Sequence, residues 1–134
     1  MDSKDRKIIQ ILKENGRASF TEIAEEVDVS EATVRNRVRE MQDSGIIEKF
    51  TVETSEAENS ALVMVKLETG IDIDEVVDKL PADLVMKEVT GEYDLVLELS
   101  EQSPEELNSL LDQIRAVSGV RDTMTYTVLK QRKL

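Results

Sequence analysis

Cysteine and histidine are both absent from the 134 residues. Their absence removes disulfides, thiolate and imidazole metal ligands, and the Ser-His and Cys-His pairs that activate a nucleophile. Tryptophan is missing too, and two Tyr and two Phe are the whole aromatic complement, so any packed core is aliphatic. No apolar run approaches the roughly 20 residues that a membrane-spanning helix needs. Met1-Asp2-Ser3-Lys4 does not open a signal peptide. The expectation is a soluble, cytoplasmic protein of one domain or two small ones, without metal, cofactor or membrane partner. Positive charge is the scarcer sign: 17 Lys and Arg stand against 29 Asp and Glu, a formal net charge of -12. Such an excess fits a solvated surface, and it equally fits adaptation to a salty cytoplasm.

Glycine is also sparse, and its five occurrences (Gly16, Gly45, Gly70, Gly91, Gly119) all fall at candidate boundaries. Ile8, Ile9 and Leu12 recur at helical spacing over 4–15, and Gly16 is a natural stop. Ser19 to Glu22, "SFTE", is a capping box ahead of a helix that turns Phe20, Ile23, Ala24 and Val27 inward. "DVS", Asp28 to Ser30, reads as a tight turn, and Ser30 caps a third helix with the stripe Val34, Val38, Met41. Three helices, the last two joined by a short turn, make a helix-turn-helix unit over 1–46. "IIEKFTVE", Ile46 to Glu53, alternates like a strand, and "TSEAENSA", Thr54 to Ala61, reads as a polar linker, so 47–60 is a connecting strand and linker.

The pattern then changes. Strands are predicted over 61–68, 83–90, 93–100 and 120–129, and helices over 72–80 and 103–119. Only Gly91-Glu92 separates the middle two strands, which predicts a tight hairpin. The order βαββαβ over 61–134 is the ferredoxin-like pattern, and the whole chain is α+β. Two helices cover one face of a four-stranded sheet, yet apolar residues fall on both faces. Tyr93, Leu95, Leu97 and Leu99 oppose Val96, Leu62 and Met64 oppose Val63, Val65 and Leu67, and Val85 and Val89 oppose Leu84 and Met86. An exposed aliphatic face calls for a second copy to cover it.

Against the general acidity, "SEATVRNRVREMQDSG", Ser30 to Gly45, gathers Arg35, Arg37 and Arg39. Residues early in the second helix of a helix-turn-helix unit read base edges in the major groove. Thr33, Arg35, Asn36, Arg37 and Arg39 fall on or beside the side opposite the apolar stripe. Arg suits guanine, Asn suits adenine and Thr reaches a base or a methyl group, whereas the later arginines suit phosphate. The helix start beside Ser30 also suits phosphate. The competing reading is a solvated face with i,i+4 pairs, Arg35 with Glu31 and Arg39 with Asp43. Charge partition favours double-stranded DNA as the partner: residues 1–53 hold nine basic and twelve acidic side chains, and 54–134 hold eight and seventeen.

The run "DRKIIQILKENGRASFTEIAEEVDVSEATVRNRVREMQDSGIIEKF" resembles the DNA-binding half of the leucine-responsive/asparagine (Lrp/AsnC, feast/famine) regulators of bacteria and archaea. It shares Asp5, an Ile-x-x-Leu step, Gly16-Arg17, the Ile-Ala of the second helix, Val29-Ser30, Val34-x-x-Arg37 and the exit Gly45-Ile46-Ile47. "VTGEYDLVLEL" and "SGVRDTMTYTVLK" resemble the hairpin and final strand of the family's regulatory domain. With the acidity, an archaeal, salt-adapted member is the expectation. The resemblance implies a transcription regulator with a winged helix-turn-helix domain, DNA-binding residues that include Arg17 and Ser30, and no enzymatic activity. It implies a homodimer with sheets face to face, joined in part by the strand at 47–53, and assembly into tetramers or octamers. It also implies a small-molecule effector, an amino acid above all, bound between dimers near Gly91, Tyr93 and Asp94, with Thr123 and Thr125 on the last strand. A carboxylate there would hold an α-ammonium, and backbone N–H groups an α-carboxylate. Two alternatives accompany this reading. One is an architectural DNA binder without ligand. The other is a decarboxylase of similar two-domain layout, a class that leans on the histidine this chain lacks.

Overall fold

The computed structural model describes residues 1–54, 59–101 and 103–134, in two compact units, Met1–Ser55 and Glu56–Leu134. In the first unit, α1 (Ser3–Glu14), α2 (Phe20–Val27) and α3 (Glu31–Asp43) follow one another. Each begins at a side chain that captures an orphan backbone donor. The Ser19–Glu22 box starts α2, with Ser19 Oγ accepting from the Glu22 N–H at 3.1 Å, and Ser30 starts α3. A second box starts α1, where Asp2 Oδ1 accepts from the Asp5 N–H at 2.9 Å and Asp5 Oδ2 accepts from the Asp2 N–H at 3.3 Å. Between α2 and α3 the chain reverses at Asp28, in the left-handed region at φ 59°, which Asp tolerates better than most residues. Ile8, Ile23, Ala24, Val27, Val34, Val38 and Met41 form the buried core. Full burial of each larger aliphatic side chain contributes about 1.5–3 kcal/mol.

Residues 46–54 form no strand, contrary to the alternation of 46–53 and to the connecting strand expected within 47–60. Ile47 packs on the core, and its N–H bonds to the Met41 carbonyl at 2.9 Å. Ile46, Phe50 and Val52 are exposed. A period-two pattern becomes a strand only when a neighbouring strand accepts its hydrogen bonds, and this unit offers none among the described residues. Of the polar linker, 55–58 lies outside the described residues, while Asn59 and Ser60 already belong to β1.

The second unit holds β1 (Asn59–Leu67), α4 (Ile73–Val77), β2 (Val85–Glu88), β3 (Leu95–Glu101), α5 (Pro104–Arg115) and β4 (Val120–Thr127). All ladders are antiparallel, in the order β2-β3-β1-β4. This is the expected βαββαβ arrangement. The helix expected over 72–80 is shorter, because after Val77 the Lys79 and Leu80 N–H groups tighten onto carbonyls three residues back, ahead of Pro81. The β2–β3 hairpin is looser than two residues, since its last ladder pair is Glu88 with Leu95. Below that pair a Val89 N–H to Asp94 carbonyl bond of 3.0 Å closes the loop.

Ala61, Val63, Val65, Leu67, Leu95, Leu97 and Leu99 are buried beneath the helices with Val76, Leu107, Leu110, Leu111 and Ile114. Met86 packs against this core from β2. The opposite face is set by register: Leu62 lies between Glu98 and Tyr126, and Met64 between Val96 and Met124. Val85, Met124 and Tyr126 on that face are 52%, 43% and 52% exposed. Lys87 and Glu98 form an ion pair across it, at 3.1 Å. Tyr93 departs from the expected side. Its hydroxyl lies 3.9 Å from Met124 Sδ, on the open face, because Tyr93 precedes β3 and escapes its alternation.

Candidate nucleic-acid interface and effector site

Apart from Arg17, the residues expected to read DNA lie on α3 or at its cap, and their side chains are engaged differently. Ser30 and Thr33 are occupied with the helix start: Ser30 Oγ accepts from the Thr33 N–H at 3.1 Å, and the two hydroxyls lie 2.8 Å apart. Arg35 ion-pairs with Glu31 one turn back, and its guanidinium carbon stands 6.0 Å from the centre of the Phe20 ring. Both partners of that pair are about half exposed, which makes it a weak tether of roughly 0.3–0.5 kcal/mol. Asn36 and Arg39 are exposed, as is Arg17 between α1 and α2, whose N–H bonds to Asn15 Oδ1 at 3.1 Å.

Arg37, expected on or beside the same side as Arg35 and Arg39, is engaged with the start of α1. Its Nη1 donates to Asp2 Oδ2 at 2.6 Å and to Asp5 Oδ1 at 3.0 Å, and its side chain is 27% exposed. Two residues of α-helix turn a side chain by about 200°, so Arg37 points to α1 while Arg35 and Arg39 point elsewhere. The hydrogen bond from Arg37, with a further one from the Asp5 N–H, holds the Asp2 carboxyl at about 2, below its ordinary 3.8. The same carboxylates push the Arg37 guanidinium up. Sequence reasoning named Glu31 as a partner of Arg35 and missed Asp2, Asp5 and Phe20. The i,i+4 spacing signals Glu31, whereas Phe20 and Asp2 become neighbours only through packing.

The five residues expected around an effector do not converge within one chain. Gly91 and Asp94 border a polar cavity of ≈ 340 Å³ between the β1–α4 loop and the β2–β3 loop, with Lys66, Glu68, Glu92 and Arg121. Gly91 adopts φ 126°, open to glycine and strained for other residues. Lys66 Nζ donates to the Glu92 carbonyl at 2.9 Å and ties the end of β1 to the β2–β3 loop. Asp94 is already engaged, since its Oδ2 accepts from the Leu67 N–H at 2.8 Å and its own N–H bonds to the Val65 carbonyl at 2.9 Å. It thereby continues the β1–β3 ladder where the β1–β4 register shifts at Lys66/Leu67. Tyr93 sits on the open sheet face, where burial first and the nearby Glu92 and Asp122 second push its phenol up. Thr123 and Thr125 pair with Val65 and Val63 and share their helix-facing side. Thr125 Oγ1 is buried without a hydrogen-bond partner among the described residues. Among the described residues there is no metal-binding cluster and no helix long and apolar enough to cross a membrane.

Known proteins resemble the chain along its whole length. Residues 1–48 match the family described as winged helix-turn-helix DNA-binding, and residues 60–134 match the Lrp/AsnC ligand binding domain. The HTH-type transcriptional regulator FL11 of Pyrococcus horikoshii is 35% identical over 99% of this chain and 92% of its own length. The HTH-type transcriptional regulator LysM of Saccharolobus solfataricus is 37% identical over 97% of this chain and 94% of its own. Among solved structures, the complex of transcriptional regulator NMB0573 from Neisseria meningitidis with L-Met superposes with a TM-score of 0.78 at 26% identity, covering 100% of this chain and 93% of that one.

Proposed function

Since this chain belongs to the Lrp/AsnC family of ligand-responsive, DNA-binding transcription regulators, we propose that it reads its operator with α3 and reports an amino acid through the second unit. The observation that carries the DNA reading is the outward set on α3, where Asn36 and Arg39 are exposed and Arg35 is held by a weak pair with Glu31 beside the Phe20 ring. Arg35 and Asn36 meet base edges, and Arg39 meets phosphate. Arg17 adds a backbone contact, and the Ser30 cap presents the start of α3 to a phosphate. The working form is a homodimer or a higher assembly, a tetramer or octamer, closed over the open sheet face with its Leu62, Met64, Val96 and Met124. The effector sits between copies at the Gly91–Asp94 loop, with Tyr93, Thr123 and Thr125 contributed from other faces or other copies. The relative solved with L-Met supports an amino acid as the ligand class. A cytoplasmic setting and the absence of enzymatic activity belong to the same proposal, in keeping with relatives named as transcriptional regulators.

Selection of duplexes from a random-sequence pool, followed by calorimetry with the twenty amino acids, tests both halves. The expected outcome is an enriched motif with internal symmetry and heat from one or a few amino acids. A pool that emerges unenriched would remove the operator-reading role. One observation favours the second reading, an architectural DNA binder without ligand: Asp94 already spends an oxygen on the Leu67 N–H. Silence across the whole amino-acid panel would select it.

A further inference from the structure

The α1 capping box does more than start a helix. Each of its carboxylates divides its oxygens between two tasks. Asp2 gives Oδ1 to the Asp5 N–H and Oδ2 to Arg37, while Asp5 gives Oδ2 to the Asp2 N–H and Oδ1 to Arg37. Asp5 and Arg37 are the more enclosed members, their side chains 16% and 27% exposed. Thr33, Asn36 and Glu40 line a hollow of ≈ 520 Å³ together with the three clamped residues. Arg37 thus follows Asn36 directly on α3, and its guanidinium is held by another helix. A charge-assisted contact to two carboxylates fixes a planar guanidinium in direction as well as in place.

We infer that Asp2 and Asp5 are positioning residues for DNA recognition: through Arg37 they fix the roll of α3 about its own axis, and with it the direction in which Asn36 and Thr33 face a duplex. The inference rests on the DNA reading above and adds to it. Arg37 then makes no phosphate contact, and two acids near the duplex strengthen sequence discrimination although their charge opposes DNA.

That opposition of sign supplies the test. Neutralising an acid beside DNA ordinarily tightens binding by removing repulsion; here Asp5→Asn is expected to weaken it. Full-length parent, Asp2→Asn, Asp5→Asn and Arg37→Gln are titrated against a duplex enriched by the parent and against a shuffled duplex, over a series of salt concentrations. Titrations run below each variant's melting temperature and are corrected for active fraction. The enriched duplex is expected to lose about tenfold in affinity with Asp5→Asn and with Arg37→Gln, the size of one base contact. The shuffled duplex holds or gains, and the salt slope of Arg37→Gln stays that of the parent. Asp2→Asn keeps an N-cap residue and is expected to move in the same direction, so it carries the test if Asp5→Asn fails to fold. Equal or tighter specific binding by the aspartate variants overturns the inference, as does a salt slope shallower by about one ion in Arg37→Gln, the mark of a lost phosphate contact. A parent that binds no duplex would overturn the regulator reading and this inference together, whereas a parent that binds beside unaffected variants overturns the inference alone.

Discussion

Arg35 and Arg37 are nearly adjacent in sequence and face different partners. Arg35 rests on a half-exposed ion pair with Glu31, a tether that a guanine edge or a phosphate readily replaces. Arg35→Ala and Asn36→Ala are therefore expected to relax preference at the bases they read, each costing roughly 1–3 kcal/mol there, while Arg39→Ala weakens all sequences alike. Titration against single-base operator variants separates these outcomes, and identical behaviour of all three would dissolve the division between base and phosphate contacts. The Asp2–Arg37 contact gives a pH signature. The Asp2 carboxyl is depressed in the folded protein, from 3.8 to about 2. Its contribution is therefore fully present above the ordinary value and is lost as pH falls through about 2. Thermal melts of the parent and Asp2→Asn are expected to differ at pH 5 and to converge toward pH 2. The exposed arginines were legible from their spacing, but the direction of Arg37 was not. A one-dimensional pattern counts a charge without knowing which carboxylate a second helix brings to it.

At the scale of elements, strong local signals were the readable ones. The Ser19–Glu22 box, the Ser30 cap and the proline of α5 after its Ser103 cap all start helices where residue chemistry demands it. Elements whose existence depends on a partner were less legible. The segment 46–53 has a strand's alternation and, among the described residues, no strand to pair with inside its unit, and the β2–β3 loop is longer than a tight turn because Asp94 serves the β1 ladder. Gly119 shows tertiary demand acting on one position. It lies just before β4 at φ 99°, and a Cβ there would stand 2.2 Å from Ile71 Cδ1 and 3.0 Å from Val76 Cγ2. Gly119→Ala adds positive-φ strain to overpacking, so we expect a loss of about 2–4 kcal/mol. Urea unfolding followed by circular dichroism checks this, and a midpoint within error of the parent would show that α4 yields without cost.

For the whole molecule, the open sheet face matters most. Leu62, Met64, Val85, Val96, Met124 and Tyr126 put aliphatic and aromatic surface on one side of a sheet whose other side is already filled. An exposed apolar face of this kind fits the proposed self-association, and on that proposal avidity from pairing two copies of α3 would raise DNA affinity by about 10²–10⁴. Met64→Glu, at the centre of that face, is expected to yield monomers by light scattering and to lose about two orders of magnitude in operator affinity, the lower end of that gain. A parent already monomeric at micromolar concentration would remove self-association from the account.

The cross-strand pair Met64 and Met124 has a spectroscopic consequence. Of five methionines, Met41 lies in the core of the first unit and Met86 against the core of the second, while Met64 and Met124 meet on the open face. Carbon-13 labelling of the five terminal methyls would give a spectrum sparse enough to assign by single substitution. Two resonances would follow the state of that face, and two others would serve as internal references for the folded interiors.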